Sequence, residues 1–96
     1  MTNVAIFVSG GGTNCEAIIR HFAGSHDVKI SLVLSNRADA YALVRAQNLG
    51  IPTIVVPKKQ FNDEAYMMAL MKQFGIDFIV LAGFLLNKTI FRGNSV

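Results

Sequence analysis

The sequence predicts a Rossmann-like α/β domain of three layers, α/β/α, with four parallel strands in the order 3-2-1-4 and three helices. Three observations predict it. Apolar runs that do not alternate recur along the chain, the pattern of strands covered on both faces. Each of the first three runs is followed by apolar residues at helical spacing. Each of those helical stretches then stops at a glycine, Gly24, Gly50 or Gly75, a spacing of about 25 residues that suits a repeating β-α unit.

Residues 3–9, Asn-Val-Ala-Ile-Phe-Val-Ser, form the first strand, broken by Gly10-Gly11-Gly12. The helical pattern starts at Thr13 and puts Ile18, Ile19, Phe22 and Ala23 on one stripe, with Gly24 at the place of a C-terminal cap. Residues 28–35 are the second strand, its start marked as partly wet by Lys29 and Ser31. Asp39 is placed to cap a second helix that carries Ala42, Leu43, Ala46 and Leu49 on one face. Gly50 ends it and Pro52 prevents its resumption. Residues 53–56 make a short third strand closed by Pro57, and Lys58-Lys59 read as a solvated loop. Asn62 starts the third helix, with Asp63 and Glu64 complementing its dipole and Tyr66, Met67, Leu70, Met71 and Phe74 as its apolar stripe. Residues 76–82 are the fourth strand. Residues 84–96 lack periodicity and read as an irregular tail, leaving residues 1–83 as the folded unit.

Composition narrows the function classes. Of 96 residues, 52% are hydrophobic and 16% charged, which excludes a disordered tail. One cysteine excludes a disulfide scaffold and suits a reducing cytoplasm. No apolar run is long enough for a membrane span, and no basic region precedes the first apolar stretch as it would in a signal peptide. The net charge of +3 is scattered, so neither nucleic acid nor a membrane surface is the expected partner.

With strands ordered 3-2-1-4, the switch point lies between strands 1 and 4, and a ligand is expected beyond their carboxyl ends. The loops facing that crevice are residues 9–14 and the segment from Gly83 onward. Residues 9–14 read Ser-Gly-Gly-Gly-Thr-Asn. Glycines let main-chain amides approach an anion closely, and the start of the following helix adds free N–H donors and positive potential. Thr13 and Asn14 add side-chain donors. No Lys follows the glycines, which excludes a P-loop. A dinucleotide fingerprint is matched by Gly10 and Gly12, but Cys15 stands at its last position, and Asn36-Arg37 replaces the acidic residue after strand 2. Arg37 suits a 2′-phosphate, so a small NADP- or nucleotide-binding module without catalysis is the alternative. A single phosphate monoester fits better.

Other candidates carry less. Cys15 opens the first helix, where a thiol pKa is lowered, but a small packing residue explains it as well. His21 and His26 have no partners at metal-ligand spacing, and no metal site is expected. Met67, Met68 and Met71 read as core filler and its flank. Gly83 either lets a ligand approach the backbone or turns the chain.

Three stretches resemble the phosphoribosylglycinamide formyltransferase family. Residues 8–14, Val-Ser-Gly-Gly-Gly-Thr-Asn, are similar to its Ser-Gly-x-Gly-Ser/Thr-Asn loop. Residues 35–40, Ser-Asn-Arg-Ala-Asp-Ala, are similar to its Ser-Asn-basic turn, and residues 80–84, Val-Leu-Ala-Gly-Phe, to its Val-Leu-Ala-Gly-Phe/Tyr strand end. Their order and spacing agree, and the likeness runs from about residue 3 to 86.

The resemblance implies transfer of a formyl group from formyltetrahydrofolate, as co-substrate, to glycinamide ribonucleotide in purine biosynthesis. It implies that Gly11, Gly12, Thr13 and Asn14 hold the ribonucleotide phosphate. It places Gly83 and Phe84 with Leu85 beside the substrate, and Leu86 near the folate. The family's catalytic Asn and His lie in an Asn-x-His-Pro motif, followed by an Asp, and these 96 residues contain no such motif. The reading is therefore a truncated formyltransferase fold with no catalytic residue in this chain, inactive alone. The fourth strand would then expose an apolar edge, and a homo-oligomer pairing through it is expected.

Overall fold

The structure, a computed structural model, describes residues 1–11 and 13–82. Its elements are β1 (Thr2–Val8), α1 (Thr13–Phe22), β2 (Val28–Ser35), α2 (Tyr41–Asn48), β3 (Thr53–Val55), α3 (Lys58–Phe61), α4 (Glu64–Gln73) and β4 (Phe78–Leu81). The strands form one sheet in the order β3-β2-β1-β4, and every pairing is parallel. This is the expected fold and strand order. The tail at residues 84–96 lies outside the described residues.

Both faces of the sheet are covered. Val4, Ile6 and Val8 of β1 pack with Cys15 and Ile19 of α1 and with Ala42, Leu43 and Ala46 of α2. Ala5 and Phe7 point the other way, onto Phe61 of α3 and Met67 and Met71 of α4. The unbroken apolar run of β1 thus has a partner on each side, as a central parallel strand requires.

A register shift shapes β2. Val4 lies opposite Ile30, but Ala5 lies opposite Leu32, so Ser31 is an extra residue. A bulge of one residue reverses the in–out alternation beyond it. Ile30 therefore shares a core with Val33, while Leu32 and Leu34 turn to the opposite one. The displaced Ser31 hydroxyl lies 3.3 Å from Asn3 Oδ1.

The structure corrects the helix count from three to four. Lys58-Lys59 were expected as a solvated loop, yet residues 58–61 close a helical turn in which the N–H groups of Gln60 and Phe61 donate to the Pro57 carbonyl. The physical cause is Phe61, which is buried and sets its ring edge-on to Phe7 with centroids 5.5 Å apart. Lys58 and Lys59 stay exposed on that turn.

Several helix ends also differ. Asn62 is the C-cap of α3, and Asp63 is the N-cap of α4, its carboxylate accepting from the Tyr66 N–H at 3.0 Å. Tyr66 sits one residue before the buried Met67–Met71 stripe and is exposed. Ala40, not Asp39, is the N-cap of α2; the Asp39 carboxylate is engaged by Arg37 instead. Gly24 does not adopt the left-handed cap conformation, which occurs at Gly50 (φ 78°) and Gly75 (φ 63°). After α1 the chain turns on Ser25, whose hydroxyl accepts from the N–H groups of Asp27 and Val28.

β4 pairs on one side only, with β1, among the described residues. Beside it Phe78 is 36% and Met68 51% exposed. An open cavity of about 500 Å³ lies here, lined by Met68, Met71, Lys72, Ile76 and Phe78 among others.

Candidate functional site

Three chain segments meet at the carboxyl ends of the parallel strands. Residues 9–11 continue from β1, residues 35–39 from β2, and Ala82 from β4, its N–H donating to the Phe7 carbonyl at 3.0 Å. This is the end of the sheet at which the strand order leads one to expect a ligand.

Ser9 is half-buried, while Gly10 and Gly11 are exposed. Neither glycine has positive φ, so the backbone conformation does not demand glycine. A Cβ added to either would meet nothing within 4 Å. Glycine here leaves the loop bare, and a ligand can reach the main chain. Thr13 and Asn14 are exposed on the first turn of α1, whose first amides have no partner within the helix. Gly12 lies outside the described residues.

The back of the loop is held by α2. The Ala42 N–H donates to the Gly10 carbonyl at 3.2 Å, and Arg45 Nε donates to the Gly11 carbonyl at 2.9 Å. Arg45 also reaches Glu16 Oε1 at 2.5 Å and lies over the Tyr41 ring, 4.9 Å from its centroid. The other oxygen of Glu16 accepts from Arg20 Nε at 2.8 Å. These guanidinium groups, Arg20 first and then Arg45, hold the Glu16 carboxyl below the usual carboxylate range. Two arginines around one carboxylate leave a local charge of about +1 beside the loop.

The turn after β2 is also ordered. The buried Ser35 hydroxyl accepts from the Arg37 N–H at 3.1 Å. Asn36 Oδ1 is buried with no hydrogen-bond partner among the described residues. Arg37 makes two bonds of 3.1 Å to Asp39. That carboxylate occupies the guanidinium and would repel a 2′-phosphate, so the geometry does not favour the NADP alternative.

Cys15 is buried in the α1–α2 core. Burial, with a smaller push from Glu16, raises its thiol pKa to about 11; it is a packing residue, and the helix start does not activate it. His21 and His26 are exposed, His21 lying edge-on to Phe22. Among the described residues no group of three metal-ligating side chains converges, and no helix is long and apolar enough to cross a membrane. The expected substrate- and folate-adjacent residues Gly83, Phe84, Leu85 and Leu86 lie outside the described residues.

Sequence reasoning missed Arg45 and Glu16. The i,i+4 spacing of Glu16 and Arg20 was a readable signal. The reach of Arg45 from a second helix was not, because it depends on how α1 and α2 pack.

A family model for formyl transferases matches residues 2–90. The phosphoribosylglycinamide formyltransferase of Haemophilus influenzae is 39% identical over 90 residues, covering 88% of this chain and 42% of that protein. Among solved structures, the phosphoribosylglycinamide formyltransferase of Anaplasma phagocytophilum is 36% identical with a TM-score of 0.81, covering 92% of this chain and 42% of that one. The Coxiella burnetii enzyme of the same name is 34% identical with a TM-score of 0.83, covering 98% and 49%. The chain thus spans somewhat under half the length of these relatives.

Proposed function

The chain belongs to the formyl transferase family, and from that premise we propose that its residues 9–14 hold the phosphate of glycinamide ribonucleotide during transfer of a formyl group from formyltetrahydrofolate. The observation that carries this reading is the restraint of two consecutive carbonyls, Gly10 and Gly11, by α2. In a planar trans peptide the N–H opposes the C=O. The Gly10 carbonyl, turned back onto α2, therefore turns the Gly11 amide outward. That amide, the exposed glycine surface and the start of α1 together support reading the loop as an anion cradle.

In the reaction, the amine of the ribonucleotide attacks the formyl carbon. The new C–N bond forms as the bond to the folate nitrogen breaks, and the proton shed by the amine ends on the folate. In this reading the chain contributes to binding and orientation: Gly11, Gly12, Thr13 and Asn14 hold the phosphate, Gly83 and Phe84 with Leu85 flank the substrate, and Leu86 faces the folate. No Asn-x-His-Pro motif occurs in these 96 residues, so the polypeptide by itself binds ribonucleotide without turning it over. The cytoplasm, which the single cysteine suits, is the compartment proposed.

Calorimetric titration of the 96-residue chain tests this. Saturable binding of glycinamide ribonucleotide, competed by inorganic phosphate, is expected, together with weaker binding by Asn14→Ala and no heat from NADP. Tighter binding of NADP, or no saturation by the ribonucleotide, would overturn it. Formyl transfer above background by the purified polypeptide would overturn the assignment of binding without turnover.

A further inference from the structure

We propose that Arg45, braced by Glu16, is a positioning residue that sets the anion-binding loop, acting from behind it and not on the ligand. The inference rests on the phosphate reading above and assigns a role to two residues on different helices.

The geometry favours positioning over direct contact. The Arg45 guanidinium is already engaged on three sides: by the Gly11 carbonyl through Nε, by Glu16 Oε1 through one terminal nitrogen, and by the Tyr41 ring on its face. Its Nε–H and one terminal N–H point to a carbonyl and a carboxylate, which fixes the guanidinium behind the loop. The Ala42 N–H, one helical turn earlier on α2, holds the preceding carbonyl at 3.2 Å. The Gly10 and Gly11 carbonyls are thus fastened to one rigid element, one by the main chain and one by Arg45.

Glu16 explains why the anchor is Arg. A carboxylate in the first turn of α1 suits the helix dipole, yet it would repel a phosphate in the loop above it. Arg20 and Arg45 neutralise it between them. The planar fork of arginine spans carbonyl and carboxylate together, which the single ammonium of lysine does not do with fixed geometry.

The test uses inorganic phosphate as the probe and Arg45→Lys as the main variant. R45K keeps the charge and loses the fork. We expect about tenfold weaker phosphate binding, the scale of one charge-assisted hydrogen bond, with Tm close to that of the parent. Glu16→Gln retains an oxygen that accepts from Arg45, and it should keep phosphate affinity within about threefold. In the ligand-free chain, hydrogen exchange at the Ala42 amide, which donates to the Gly10 carbonyl, should quicken in R45K by about tenfold as the loop loosens. R45K binding phosphate within twofold of the parent, with unchanged exchange, would overturn the inference. If the parent binds no phosphate at all, the binding reading fails, and the exchange data alone decide whether Arg45 sets the loop.

Discussion

The Asn3 carboxamide donates to the Gly75 carbonyl at 3.1 Å. Around that bond, the Asn3 N–H donates to Asp77 Oδ2 at 2.9 Å, and the Asp77 N–H returns to the Asn3 carbonyl at 2.8 Å. One residue at the start of β1 therefore clamps the α4–β4 turn, and its carbonyl side accepts from the bulged Ser31 of β2.

Asn3→Ala should lower unfolding free energy by about 1–2 kcal/mol, the range for partly buried hydrogen bonds left unmade. Asn3→Asp should be more destabilising at pH 7 than at pH 4, because it sets a second carboxylate beside Asp77. Urea denaturation at both pH values measures this. A change of a few tenths of a kcal/mol in N3A would show that the clamp carries no stability.

Glycines that end helices should divide by backbone conformation. Gly50 and Gly75 have φ of 78° and 63°, so alanine at either should cost about 1 kcal/mol. A Cβ at Gly75 would lie 3.7 Å from Asn3 Nδ2, an ordinary contact that adds no clash. Gly24 has neither positive φ nor a neighbour within 4 Å. Gly24→Ala should be neutral or stabilising by about 0.5 kcal/mol through the unfolded chain's entropy. Thermal melts of the three variants test the contrast, and an equal loss in all three would contradict it.

Cys15 should resist alkylation. With a pKa raised to about 11, on the order of one thiol in a thousand is ionised at pH 8, and the residue is buried besides. Iodoacetamide should label the native chain far more slowly than the urea-unfolded one. Equal rates would place Cys15 outside the core.

Acid should weaken the coupling of α1 to α2. The Glu16 carboxyl is held low by Arg20 and Arg45, and the Asp39 carboxyl by Arg37. A carboxyl whose folded pKa is depressed contributes stability above its unfolded pKa. It loses that contribution as pH falls through the lowered folded value. The parent chain should therefore lose Tm steadily below about pH 5, the range in which carboxylates begin to protonate, while Glu16→Gln should show a shallower acid limb. Superimposable acid limbs would show that the network is not coupled to folding.

Much of the fold was legible in the chain itself. The non-alternating run of β1 demanded cover on both faces, and helical stripes after each strand implied parallel crossovers, for which 3-2-1-4 is a favoured order and the one observed. The glycine-rich loop declared itself in the same way, because three glycines before a helix start exceed what a turn needs. Short-range ambiguity accounts for the differences. Pro57 to Phe61 carries too few residues for periodicity, and only the burial of Phe61 against Phe7 makes it helical. Asp39 was expected to cap α2 and Asn62 to start the helix after it; instead Arg37 claims the Asp39 carboxylate, and Asp63 is the residue whose carboxylate caps α4.

By itself, then, the sequence pointed to the layers and the strand order, and so to the end of the sheet where a ligand is expected, since these follow from local periodicity and chain handedness. Tertiary structure alone decided which face each β2 residue takes. The bulge at Ser31 reverses the alternation that Val28-Lys29-Ile30-Ser31 begins, and only pairing with β1 reveals it. It also decided what stands behind the glycine loop. Arg45 meets Gly11 and Glu16 through the packing of α2 against α1, a contact between residues far apart in the chain, which no local pattern encodes.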